Sequence, residues 1–193
     1  MPMIRETIVT TVDSVGRVHI APLGLIAEGD GWVIAPFRPS ATLDNLQSVP
    51  FATASHTDDV RVFAGCLTGR RDWPTVPGEA VPVPRLAAAL SHTELAVEAV
   101  QDDPQRPRFR CRVVRIVSHL PFAGFNRAQW AVLEAAILVS RLHMLPREHI
   151  EREIAYLASA VDKTAGDRER EAWGWLMDKV RSYSHDEPQP GRA

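Results

Sequence analysis

The sequence predicts a mainly β N-terminal part followed by a helical C-terminal segment. Three observations carry that expectation. Over the first 120 residues, runs rich in Thr, Val and Ile are broken by Gly, Asp and Pro turn signals. Arg108, Arg110 and Arg112 alternate with Phe109, Cys111 and Val113, the period of a half-buried strand. After residue 121 the apolar spacing changes to that of helices, with legible start and stop signals.

The strands follow in order. Ile4–Val12 is the first, and Asp13-Ser14-Val15-Gly16 turns the chain into a second at Arg17–Ala21. Leu23–Ala27 and Trp32–Ala35 flank Glu28-Gly29-Asp30-Gly31, whose two glycines suit a tight hairpin with positive φ angles. Leu43–Ser48 reads as a brief helix and Phe51–Ser55 as another short strand. Arg70–Arg85 holds four prolines and one glycine, so a long irregular excursion is expected there, of the kind that folds over a ligand or a partner subunit. Leu95–Val100 and Phe109–Val117 are two strands joined by the turn signal Asp102-Asp103-Pro104.

The helices are equally punctuated. Asn126 suits an N-cap with Gln129 three residues later, and Phe125 and Trp130 occupy the positions of a hydrophobic staple. The helix is expected to reach Leu145, where Pro146 stops it. Apart from Arg127, Glu134 and Arg141 it is apolar nearly all round, which implies burial on several faces. Ile150, Ile154, Leu157 and Val161 stripe a second helix that closes near Gly166, and Trp173, Leu176, Met177 and Val180 mark a third. The expected divisions are therefore 1–120, 121–184 and a disordered tail over 185–193.

Composition narrows the function. A chain of 193 residues with a formal net charge of −2 is no generic polyanion binder. Cys66 and Cys111 are far apart and form no metal-ligand pair, and seven histidines show no HExxH spacing, so no metal and no disulfide framework is expected. The N-terminus lacks the blocks of a signal peptide, and the apolar stretch Ala135–Val139 is far too short to span a bilayer, so the expectation is a cytoplasmic protein without a membrane partner. Arg106, Arg108, Arg110, Arg112 and Arg115 form a basic stripe. With Phe109 alone to stack on bases, it reads as a solvated or ion-paired face and not as a nucleic-acid track. His19 reads as a packed strand histidine, and Asp58-Asp59 as turn caps.

The run from Ile34 to Leu46 carries the most chemistry. It sets a short apolar strand against Arg38, Ser40, Thr42 and a helix start. A helix N-terminus presents unpaired N–H groups and partial positive charge, and an arginine fork grips two phosphate oxygens, so the run outlines a phosphate site. The plainer alternative is that Ser40 or Thr42 caps a surface turn and Arg38 is solvated.

The wider series is Arg5–Thr11, Gly16–Leu25, Arg38–Asn45 and Ser55–Val60, continued by Pro121–Gln129 and Glu134–Arg141. In order and coverage it resembles the FMN-binding split-barrel proteins of the flavin reductase-like superfamily, and within them an uncharacterised group that pairs the barrel with a C-terminal helical segment. The resemblance implies a split β-barrel over 1–120 and FMN as cofactor. It implies the ribityl phosphate near Ser40 and Thr42, with Arg38 upstream and Asn45 downstream. It also implies the isoalloxazine edge against Pro22–Leu25, including Gly24 and Leu25, and against Ser55–Thr57, where His56 stands at a place for which the family pattern has Asn and Thr57 follows. A homodimer with its flavin sites near the subunit interface is implied. So is an FMN-dependent oxidoreductase acting on a small-molecule redox substrate, with NAD(P)H a candidate donor and one-carbon metabolism a candidate setting. A non-catalytic FMN carrier or sensor is the alternative, and no catalytic side chain is named by the motifs.

Overall fold

The computed structural model describes residues 2–183. They divide into two compact units, one built from the chain as far as Asp58 with Arg71–Ala123, the other from Asp59–Arg70 with the chain from Gly124. The tail over 185–193 lies outside the described residues.

The first unit is a closed antiparallel barrel. In chain order its elements are β1 (Ile4–Val12), β2 (Val18–Glu28), β3 (Gly31–Ile34), α1 (Ala41–Ser48), β4 (Phe51–His56), the two-residue strands β5 (Thr75–Val76) and β6 (Arg85–Leu86), and the long hairpin β7 (Ser91–Gln101) and β8 (Arg108–Ser118). The barrel runs β1-β2-β3-β8-β7-β4, with β5 and β6 as a separate pair. β3 is short and pairs only Gly31–Val33 with β2 and Trp32–Ile34 with β8. β2 before Ile26 and β8 after Cys111 therefore carry a ladder on one side only, and the wall is split between them.

Two details depart from the sequence reading. The second and third expected strands are one, because Pro22 sits opposite Ile8 in the part of β2 that pairs on a single side, where a missing N–H is tolerated. In the β2–β3 hairpin only Gly29 has a positive φ, 58°. Gly31 is needed for space instead, since a Cβ there would stand 2.4 Å from the Cys111 carbonyl oxygen. The barrel core holds Val9, Leu25, Ile34, Ala54, Leu95 and Phe109, and α1 adds Leu43 and Leu46 to it. The arginine stripe faces outward in ion pairs, Arg108 with Glu28, Arg112 with Glu98 and Arg115 with Glu79.

The proline-rich excursion folds over the chain's own barrel wall. Thr53 donates its hydroxyl to the Pro84 carbonyl, and Ser55 Oγ accepts from the Leu86 N–H at 3.1 Å. Val81 and Val83 pack against Val12. Glu94, fully buried on β7, accepts three successive backbone N–H groups, from Glu79 at 2.8 Å and from Ala80 and Val81 at 2.7 Å. Burial alone raises a carboxyl pKa, but these donors and His92 overcome it and hold Glu94 below the ordinary carboxylate value.

The second unit is helical: α2 (Arg61–Leu67), α3 (Arg127–Ser140), α4 (Arg147–Thr164) and α5 (Asp167–Ser182). Its core joins Ala64 of α2 to Val132 and Ala136 of α3, Ile150 and Leu157 of α4, and Leu176 of α5. Asn126 caps α3 as expected, accepting from Ala128 N–H at 2.7 Å. The staple does not form, because Phe125 is fully exposed at 101%. Asn126 Nδ2 instead donates to the Thr164 carbonyl at the end of α4, at 3.1 Å. α3 ends at Ser140, and the segment to Leu145 continues as turns. α2 is not expected from the sequence; its buried run Val62–Cys66 contains Gly65 and has no polar face to set a helical period. Asp59 bonds the Arg61 N–H and guanidinium ahead of it. Cys66 and Cys111 form no disulfide and are buried, and burial pushes the Cys111 thiol up to about 12. Among the described residues no helix is long and apolar enough to cross a membrane.

Glu94→Gln is expected to cost about 1.5–3 kcal/mol in urea unfolding, the scale of a charge-assisted hydrogen-bond set. Because the folded carboxyl titrates below its unfolded value, its stabilisation is complete above the unfolded pKa and is lost as pH falls through the folded one. The variant should lack that part of the wild-type acid dependence.

Candidate functional site

The sequence-predicted residues fall into groups at different places on the barrel. After β3 the chain passes through Ala35–Ser40 into α1, and a turn of the β7–β8 hairpin clamps this passage. Asp103 accepts from the N–H groups of Gln105 at 2.9 Å and Arg106 at 2.7 Å, which hold its carboxyl below the usual range. Arg106 then donates to the Ala35 carbonyl and lies 4.4 Å over the Phe37 ring. Arg38 bonds the Gln105 carbonyl through its backbone N–H at 2.8 Å and pairs its guanidinium with Asp102 at 2.7 Å.

Within this corner each predicted residue has an identifiable task. Ser40 is the N-cap of α1, its hydroxyl accepting from the Leu43 N–H at 3.3 Å. Asn45 is buried and donates to Thr11 Oγ at 3.0 Å, which ties α1 to β1. Thr42 is also buried, at 3% exposure. Arg38 is the adaptable member: its side chain is 39% exposed and that of Asp102 86%, so their ion pair is weak and exchangeable for a stronger anion. Arg38 and the α1 amino end, with its first N–H groups and dipole, make a donor set suited to a phosphate.

Gly24 and Leu25 lie on the split stretch of β2, opposite Glu6 and Arg5 of β1. A Cβ on Gly24 would stand 2.8 Å from Ile4 Cγ2, so packing against β1 already requires this glycine. Leu25 has its side chain in the core and only its backbone on the split edge.

His56 ends β4 and Thr57 follows it, on the other side of β1 from Gly24 and Leu25. Thr57 donates its hydroxyl to the Ala88 carbonyl at 2.8 Å. His56 pairs with Ser91 at the start of β7, whereas the Arg38 corner adjoins the hairpin turn at its far end. Across β1, however, His56 stands beside the split stretch of β2: Ile8 pairs with Ser55 on one side and with Pro22 on the other, and Arg5 both faces Leu25 and acts on the His56 imidazole. His56 lines a cavity of about 560 Å³ together with Ser91, Ser118, His119 and Phe122. Burial, then Arg5 and His92, lower its imidazole pKa.

Behind this cavity stands a group that the sequence reading does not single out. His92, fully buried, bonds His119 through Nδ1 at 2.9 Å and Glu94 through Nε2 at 3.1 Å. The available signal is His92-Thr93-Glu94, whose first and third residues must share a strand face.

Residues 5–119 match the N-terminal domain of the protein family of unknown function DUF447, and residues 126–178 match that family's second domain. The chain belongs to the DUF447 family. No curated protein matches it. Among solved structures it is similar to an FMN-bound DUF447 protein from Methanosarcina mazei, with a TM-score of 0.79 and 20% identity over 93% of this chain and 96% of that one. The 2-nitrobenzoate 2-nitroreductase of Pseudomonas fluorescens gives a TM-score of 0.52 and 20% identity, covering 62% of this chain and 66% of that one. An FMN-binding protein from Thermus thermophilus gives 0.51 and 18%, covering 62% and 73%. The fold is thus the split barrel that the sequence resemblance implies, and the match to the M. mazei protein includes the helical segment.

Ser40→Ala should lower stability by about 1 kcal/mol in thermal or urea unfolding, the usual cost of an N-cap. A negligible change would mean that α1 is held by its buried face and the Asn45 to Thr11 bond alone.

Proposed function

We propose that this protein binds FMN and acts as a flavin reductase-like, FMN-dependent oxidoreductase on a small molecule. The observation that carries the reading is the similarity, over nearly the whole of both chains, to a family member whose structure holds FMN. The residues present fit the group. Arg38 and the amino end of α1 supply donors for the phosphate, and the unladdered edge of β2 up to Leu25 offers backbone N–H and C=O groups to the flavin pyrimidine ring. In this reading Ser40 and Asn45 shape the corner, Thr42 is buried, and His56 and Thr57 stand across β1 from the β2 edge that takes the ring.

When bound, the flavin supplies hydride and electron transfer, and the protein supplies orientation and electrostatics. Arg38 exchanges Asp102 for the phosphate, the split edge fixes the ring, and the clamped Ala35–Ser40 passage keeps the corner rigid. The same reading makes the protein a homodimer, since bare β2 and β8 edges invite coverage by another chain.

The molecule that copurifies should have the mass and absorption spectrum of FMN, and anaerobic NADH or NADPH should bleach it. A colour stable to both donors would favour a carrier or sensor instead. Arg38→Ala should weaken FMN binding by roughly 1.5–3 kcal/mol, tenfold or more in Kd. Unchanged affinity, measured by fluorescence titration of the apoprotein, would remove Arg38 from the site.

A further inference from the structure

We propose that the cavity beside His119 binds a small uncharged phenol, and that His119 takes up and returns the phenol's hydroxyl proton while buried His92 and Glu94 position it. The cavity shares His56 with the candidate flavin residues, so the proposal is separated from the flavin reading by testing the protein with and without its flavin.

The proton positions follow from the donor set. Glu94 is held as a carboxylate by three backbone N–H groups, and a carboxylate only accepts. His92 therefore carries a proton on Nε2, toward Glu94, and in the neutral ring Nδ1 is an acceptor. The bond to His92 Nδ1 then requires a proton on His119 Nε2, so His119 Nδ1 bears the lone pair. The two rings lie within 4° of parallel with centroids 5.1 Å apart, which keeps the chain of three side chains in register. Burial, Arg85 and His92 lower the His119 imidazole pKa and Glu79 opposes them, a balance that favours the uncharged ring.

A proton accepted at His119 Nδ1 has somewhere to go. The phenol O–H breaks with its electron pair left on oxygen, and an N–H bond forms at Nδ1. The Nε2 proton moves to His92 Nδ1, and the positive charge comes to rest beside the Glu94 carboxylate. Return of the proton reverses each transfer. His92 thus has an anion on one side and a cavity-lining histidine on the other.

The lining indicates the ligand class. Leu90, Leu120, Pro121 and Phe122 give the cavity an apolar wall with an aromatic ring, and His56, Ser91 and Ser118 add neutral polar groups. No lysine, arginine, aspartate or glutamate lines it, while Arg5 acts on His56 and Arg85 on His119 from just outside, which suits a ligand that enters neutral and develops negative charge on oxygen. Its volume of about 560 Å³ lies in the range of small-molecule sites. An aliphatic hydroxyl is too weak an acid for imidazole, whereas a phenol, with a pKa near 10, is within reach of a base backed by a fixed carboxylate.

The test uses 4-nitrophenol, whose absorption distinguishes phenol from phenolate, added to the purified protein in its flavin-loaded and flavin-free forms. At a pH where the free probe is mostly protonated, the bound probe should show a larger phenolate fraction than the free probe. His119→Gln should retain binding and lose that excess. His92→Gln, which leaves the ring of His119 in place, should reduce the excess and change the nitrogen chemical shifts that report the His119 tautomer. Absence of saturable binding, an unchanged phenolate excess in His119→Gln, or a wild-type His119 protonated on Nδ1 would each overturn the proposal. The Arg38 reading stands or falls separately, because neither 4-nitrophenol binding nor the tautomer requires FMN.

Discussion

The buried carboxylate of Glu94 is the point from which much of the barrel unit is organised. A carboxylate in the interior is tolerable only if its lone pairs are filled, and here three successive N–H groups and a histidine fill them. That requirement draws the stretch around Glu79–Val81 onto the wall, which in turn brings Pro84 and Leu86 to Thr53 and Ser55. Gly78 is part of the same arrangement, since a Cβ there would stand 2.5 Å from the Val83 carbonyl oxygen. A segment with little regular structure is thus fixed by satisfying one charge. The same charge orients His92 and, through it, His119 at the cavity.

Much of the fold was legible because local chemistry and global topology agree. Ile4–Val12 and the Asp103 turn read correctly from β-branching and from a short side chain that bonds its own backbone. The cap at Asn126 was equally plain, because an asparagine before an apolar run has little else to do. Features that rest on distant partners were hidden. Phe125 promised a local staple, but the partner of the cap is Thr164, 38 residues away. Pro22 suggested a break, and only the one-sided pairing of β2 makes it harmless.

The candidate site was legible in chemistry and not in arrangement. Arg38 and Ser40 stand together at a helix start, as their spacing suggests, and the capping role weighed as the plainer alternative for Ser40 is real. The capping bond leaves other first-turn N–H groups and the helix dipole for an anion, so the two roles are compatible. Sequence order could not tell that His56 comes to lie across β1 from Gly24 and Leu25, because that depends on the pairing of β1 with both β2 and β4. The group His92, Glu94 and His119 escaped notice for a related reason: 25 positions separate Glu94 from His119 in the chain, and the β7–β8 register closes that gap.

The excursion of Asp59–Arg70 away from the strands that flank it has a further effect. Between β4 and the proline-rich stretch the chain lends one helix to the other unit and then comes back, so no single cut yields two whole pieces. A fragment ending near Ala123 would carry α2 without α3 and α5, leaving Val60, Ala64 and Leu67 stripped of cover, while its complement would lack a wall of its own interior. The halves are obliged to mature as one molecule, and fusing, shuffling or duplicating either would have to bring the borrowed helix along.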